Sequence, residues 1–292
     1  MINLPVQFFS ENILQYLQTA CPDYYNELMN AITYEGLERT IIYDNRKQPI
    51  RDIAEITEDR QITIYENYIA FLWCLSFAMV TFYKERESDI DQYTISKLQN
   101  AISLLQYGYS LKDKWSEWPS NLPNPTISGD YYVEKANAIA VISMSYILAH
   151  EIGHHILGHN LTGVGLDTLE ANQEEFSADR YAFDVIVGGY EEQNMSKNNS
   201  INVAIIVGLG SILLLERKWE EGDTHPNISD RLQKILQYIE DSNGGNEEYW
   251  SWGLLILLLW NVVYRNENYN PLGHGSHKAD YETFAEYLKE RQ

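Results

Sequence analysis

Residues 136–159 read ANAIAVISMSYILAHEIGHHILGH. The first half is small and apolar, as expected of a helix that runs through the middle of a core. The second half holds His150-Glu151-Ile152-Gly153-His154, an HExxH pattern. On a helix, residues i and i+4 lie on one face, so His150 and His154 can aim ring nitrogens at one metal ion. Glu151 sits one step round the helix, close enough to hold a water at that ion. Zinc lowers the pKa of such a water to about 7. A neighbouring carboxylate can take the proton and later hand it to a leaving amine. A zinc peptidase needs these residue types at this spacing. The competing reading is an amphipathic helix with a polar, His-rich face. His155 points about 100° away from His154, so His155 and His159 read as hydrogen-bonded or exposed residues, not ligands. The spacing predicts a helix from Tyr131 to about His159, ended by Gly158 and the segment Leu161–Gly165.

A zinc peptidase also needs a third protein ligand and one open position. The next periodic segment, LEANQEEFSADRYAFDVI, predicts a helix over about Leu169–Val187. It places Glu175 and Asp179 four residues apart on one face. Glu175 has the chemistry of a ligand. Asp179, one turn on, can accept the spare ring N–H of a ligand histidine and fix its tautomer. The alternative is a solvated acidic face, since Asp167, Glu174 and Asp184 are close in sequence. A third segment, Thr224-His225-Pro226-Asn227-Ile228-Ser229-Asp230-Arg231, reads as a helix start with Pro226 in the first turn. From there His225 can lean into a cleft and stabilise an oxyanion, and Arg231 can pair with a carboxylate of the site.

HExxH, then ExxxD on a following helix, then HPxxxxR, resembles the gluzincin peptidases of the CAAX-prenyl-protease and heat-shock-protease-X type. Here the three read HEIGH, EFSAD and HPNISDR over roughly Tyr131–Ile239. The resemblance implies zinc held by His150, His154 and Glu175, with Glu151 as general base. It implies Asp179 behind a ligand histidine, His225 at the transition state and Arg231 as a structural partner. Enzymes of that type are commonly membrane-embedded, and this chain has no convincing span, so a soluble relative is implied. The size, the lack of a leader and the entry ITIYENYIAFLWC also resemble the phage-exclusion protease (Lit) family. That likeness implies a cytoplasmic bacterial protease cleaving one specific host protein.

Composition fits a globular fold and argues against a general nucleic-acid binder. The chain has 292 residues, 45% of them hydrophobic, and a formal net charge of −21. Phosphate contacts are made by Lys and Arg, and no basic tract is present. Cys74 lies in an apolar run and reads as a buried thiol; with Cys21 it suggests no disulfide framework. The start lacks a basic region and a cleavage site, so no signal peptide is read. The apolar runs Tyr68–Tyr83, Ile201–Leu215 and Trp250–Tyr264 are shorter than the roughly 20 residues of a membrane span and read as core helices.

Elsewhere, Ser10–Gln18 and Asp23–Ala31 read as short amphipathic helices, and Thr40–Tyr43 and Gln61–Tyr65 as strands. A helix is expected over Glu66–Tyr83 and another over Ser88–Leu111, with Ile95, Leu98, Ile102 and Leu105 as its apolar face. Lys112–Asp130, rich in Trp and Pro, reads as a long irregular connection. It is either a Trp-anchored connector or, with the polar stretch Gly188–Ser200, a cover for the cleft. Helices are expected again to about Glu240, over Trp250–Tyr264 and over Ala279–Lys289. His274 and His277 fall in a solvated loop.

The expected fold is mainly α: a helical zincin-type metallopeptidase domain with at most a small β-sheet near residues 38–65. Its two regions are 1–130, helical with an edge strand, and 131–292, which carries HExxH; they are expected to form one compact unit. Gln61–Tyr65 is the candidate edge strand for pairing with substrate backbone. The expected function is a soluble, cytoplasmic, Zn2+-dependent endopeptidase acting on a specific protein target. Its partners would be a protein or peptide substrate and possible regulators, with no nucleic acid and no membrane. The alternatives are a catalytically silent, peptidase-like scaffold and a helical interaction protein whose motif is accidental.

Overall fold

The computed structural model describes residues 4–20, 41–56, 62–89, 91–159, 168–188, 195–215, 227–243, 245–267 and 269–291. In chain order these form α1 (Phe9–Ala20), β1 (Ile41–Asp44), β2 (Ala54–Ile56), β3 (Ile62–Tyr65), α2 (Glu66–Glu85), α3 (Gln92–Asp113) and α4 (Tyr131–Ile156). Then come α5 (Thr168–Gly188), α6 (Met195–Leu215), α7 (Ile228–Ser242), α8 (Glu248–Tyr264) and α9 (His277–Glu290). The fold is mainly α with one small sheet, as the sequence predicts. The helix expected over Asp23–Ala31 lies outside the described residues.

The sheet has the order β1-β3-β2. β1 runs parallel to β3, with Ile41 opposite Ile62, and β2 runs antiparallel to it, with Ala54 opposite Ile64. The 62–65 strand is therefore central and has no free edge, which corrects the expectation that it receives substrate. Pattern alone could not decide this, because an alternating strand looks the same at the edge and in the middle. β2 leaves its other side unpaired among the described residues and packs against α4.

α2 follows β3 without a break. It is apolar all round and is buried from Glu66 through Thr81, as a helix with no polar face must be. Its hydroxyls turn back on their own helix, Ser76 to the Leu72 carbonyl and Thr81 to that of Phe77. α3 packs along it, and of the predicted face Leu105 and half-buried Leu98 turn inward. Ala101, Leu104, Leu105 and Leu111 go inward, while Ile95 and Ile102 are exposed. α3 carries apolar residues on both sides, so period alone does not choose between them; packing against α2 does.

α4 is the central element and packs on α1, α2, α5 and α6. Asp130 caps its start by accepting from the Tyr132 and Val133 amides at 2.8 and 3.1 Å. Among the described residues it is one helix long and apolar enough to cross a membrane, yet most of that stretch is buried inside the protein. At its end Gly158 takes φ +71. There the Gly158 amide meets the His155 carbonyl at 3.3 Å and the His159 amide meets the His154 carbonyl at 2.9 Å. This is the Schellman arrangement, in which a left-handed residue lets the chain satisfy the last carbonyls of the helix.

The connection after α3 is a Trp-anchored connector. The Trp118 ring packs edge-on against Trp73 and Tyr107, with centroids at 5.4 and 5.2 Å, and its Nε1 donates to the Pro123 carbonyl. Asn137 accepts from Trp73 Nε1 at 2.6 Å and donates to the Pro125 carbonyl at 2.9 Å. Asn137 is in the first half of α4, roughly 20 Å along the axis from His150. The segment is thus pinned at the far end of the helix from HExxH and does not cover it. In the other expected cover, residues 195–200 begin α6 and residues 189–194 lie outside the described residues. Trp118→Ala should lower unfolding stability by about 2 kcal/mol, less than the roughly 3–5 kcal/mol for a fully buried aromatic because Trp118 is half-buried. A urea midpoint that falls with an unchanged slope checks this; an unchanged midpoint would mean that the connector is not anchored by Trp118.

Candidate metal centre

His150 and His154 leave α4 on one face, and Glu175 and Asp179 leave α5 on the face opposite. The two helices meet closely because residue 153 is glycine. A Cβ there would stand 3.0 Å from the Tyr181 ring and 3.5 Å from the Ala178 carbonyl. The Gly of HEIGH is therefore a spacing device for the helix pair.

The three expected ligands come together. His150, His154 and Glu175 offer ligand atoms that all lie within 4.8 Å of one another. The two Nε2 atoms are 3.1 Å apart. Glu175 stands 3.5 Å from His150 Nε2 through Oε2 and 3.4 Å from His154 Nε2 through Oε1. His150 and Glu175 are buried and His154 is half-buried. Two imidazoles and a carboxylate are a donor set that zinc accepts while keeping one position open, so these residues fit the metal that the motif implies.

Around the trio lies a ring of buried partners. Asp179 Oδ1 is 3.0 Å from His150 Nδ1, on the side away from the trio. Arg231, from α7, holds Asp179 with two N–H groups at 2.7 Å each and reaches Glu175 Oε2 at 2.8 Å. Tyr146 donates its hydroxyl to Asp179 Oδ1 at 3.0 Å. His154 meets His159 Nδ1 at 2.9 Å through its own Nδ1. Arg231 and Asp179 thus stand where the sequence suggested. Tyr146 and His159 were missed as partners, although Tyr146 lies one helical turn before His150, which was a usable signal. His225 lies outside the described residues. His274 lies in the loop before α9, where its amide donates to Asp280, whereas His277, expected in that loop, is the first residue of α9; neither belongs to the cluster.

The electrostatics follow from burial and charge. Burial and Arg231 push His150 towards its neutral form, but Asp179 and Glu175 outweigh them and raise its pKa to about 9. Burial works against the Asp179 carboxylate, yet Arg231 and His150 hold it down at about 2. Burial raises Glu151, with the charges of His150 and His154 drawing it partly back. Burial, then His154, lowers His159 and favours its neutral ring. Carboxylates here outnumber the fixed cation Arg231, so the surroundings favour positive charge at His150. A cation between the histidines would serve the same balance.

An HExxH helix facing a carboxylate helix across a buried ion-pair ring defines the class: a helical protein with a candidate metal-ligand cluster. Residues 62–254 match the family Peptidase U49, and the chain belongs to that family. The matched span includes β3, the HExxH helix, Glu175, Asp179 and Arg231. A relative named "Cell death peptidase" from Escherichia coli (strain K12) is 28% identical over 183 residues, 61% of this chain and 59% of the relative. The chain therefore aligns with less than two thirds of that relative's length. No solved structure matches. These comparisons agree with the likeness to the phage-exclusion proteases and do not support the CAAX-prenyl-protease type.

Arg231 is the cation that lets Glu175 and Asp179 stay ionised inside the protein. Arg231→Met should destabilise the metal-free protein by about 3–5 kcal/mol, the cost of leaving a buried charge without its partner. Adding Asp179→Asn to it should cost less than the sum of the two single changes. Urea unfolding in the presence of a chelator measures both; a loss below about 1 kcal/mol for Arg231→Met would show that the ion pair does not hold these helices.

Proposed function

We propose that this chain is a zinc-dependent endopeptidase that hydrolyses peptide bonds of a specific protein target. The observation that carries the reading is the convergence of His150, His154 and Glu175 beside Glu151. When bound, zinc supplies Lewis acidity, lowering the pKa of a water and polarising a carbonyl. Glu151 takes the proton from the attacking water and passes it to the amine that leaves. In the metal-free protein, burial raises the Glu151 pKa, with the charges of His150 and His154 drawing it partly back. Asp179, held by Arg231 and Tyr146, fixes the His150 ring so that Nε2 faces the cluster. His225 keeps the oxyanion role that its sequence context suggests. The side of β2 that is unpaired among the described residues is the edge that we assign to an extended substrate.

The name of the E. coli relative joins a peptidase to cell death, and we extend the proposal to cleavage that kills the producing cell. The test has two parts. Purified protein should hold one equivalent of zinc by elemental analysis; far less after zinc is supplied would remove the metal reading. Glu151→Gln should keep that zinc and lose about 100- to 10,000-fold in turnover. New protein termini should appear in cells making the unaltered chain and be absent with Glu151→Gln. If the termini persist with Glu151→Gln, Glu151 is not the base; zinc uptake with no new termini in either case would favour a silent scaffold.

A further inference from the structure

The two ligand histidines are held differently. His150 has the carboxylate of Asp179 behind it. His154 has His159, Nδ1 to Nδ1 at 2.9 Å, and beyond it Ser177 Oγ at 3.0 Å from His159 Nε2. Ser177 Oγ also lies 3.0 Å from the Glu174 carbonyl. A carbonyl can only accept, so Ser177 donates to Glu174. Its oxygen then accepts from His159 Nε2–H. That leaves His159 Nδ1 as a bare lone pair, which accepts from His154 Nδ1–H. His154 Nε2 is left unprotonated, and it is the atom that faces His150 and Glu175. The chain of donors runs one way and sets each tautomer in turn.

We propose that His159 is a positioning residue of the metal centre, which with Ser177 fixes His154 as the Nδ1–H tautomer with Nε2 aimed at the ion. This rests on the zinc reading above and deepens it. The backbone prepares the contact. The left-handed turn at Gly158 brings the His159 amide back to the His154 carbonyl at 2.9 Å, so the two rings meet across the helix end at 4.9 Å between centroids. The partner sequence of His154 thus comes from two elements, the turn after α4 and the exposed side of α5. It ties the ligand to the same helix that carries Glu175.

The prediction separates hydrogen bonding from packing. His159→Leu fills the space without an acceptor and should weaken zinc binding by about 10- to 100-fold, the usual effect of losing a partner of a ligand histidine. His159→Asn keeps an acceptor oxygen near the place of Nδ1 and should stay within about three-fold of the unaltered chain, since the hydrogen bond to His154 is retained. Ser177→Ala should lose about five-fold, the worth of one neutral hydrogen bond. Zinc affinity is read by chelator competition, and the visible absorption of the Co2+-loaded protein is read alongside it. That band should change with His159→Leu and be restored with His159→Asn. The metal-free unfolding midpoint of each variant is the control for folding, and should Leu fail to fold, Asn and Ser177→Ala carry the test. Equal zinc affinity and an unchanged Co2+ band in Leu and the unaltered chain would overturn the proposal. So would an Asn variant that loses as much zinc affinity as Leu, or, if Leu does not fold, an Asn variant that loses about ten-fold or more. Failure of the unaltered chain to take up metal would overturn the zinc reading itself, a distinguishable result.

Discussion

The structure depends on one buried guanidinium. Arg231 reaches from α7 to both carboxylates of α5 and lies against the ring of His150 on α4. Glu175 and Asp179 are nearly sealed from solvent, and two carboxylates cannot stay ionised in such a place without a cation. Arg231 suits the task because its planar fork binds two oxygens of one carboxylate and still has a donor for the other. The pair is not a general stabiliser, since desolvation consumes much of what attraction returns. Its effect is to fix three helices at one spacing and one rotation.

That spacing is also set by what is absent. Gly153 has no side chain to hold α4 away from α5, so His150 and His154 come within reach of Glu175. The ligand cluster is built almost wholly on helices, and each ligand ring is held from behind by a group on the opposite helix or its neighbouring turn. Rigid elements with locked rotamers are what a metal site would need, and the candidate cluster has them. The connector at Trp118, pinned near the start of α4, leaves the HExxH end of the helix to α5 and to Arg231 of α7.

Much of this was legible because helix geometry is local. His150 with His154, and Glu175 with Asp179, share faces by spacing alone, and charge pairing made Arg231 a reasonable partner. The α6 start at Met195 was not legible, because Ser196, Lys197, Asn198 and Asn199 carry no apolar period. The partners Tyr146 and His159 were obscured for another reason: each is an ordinary residue until a second helix places an acceptor or a donor in front of it.

By itself the sequence determined the helical class, the run of buried helices, the end of α4 at Gly158 and the trio with metal-ligand spacing. These follow from backbone period and residue chemistry within one element. Only the tertiary structure decided that the 62–65 strand is central, that α3 turns Ala101 and Leu104 inward and Ile95 outward, and that Asp179 meets His150 while His159 meets His154. Each of these is a choice between surfaces that look equivalent along the chain, and contact between distant elements makes the choice. Pattern records what a residue can do, whereas packing density and the need to satisfy buried polar groups determine which partner it meets.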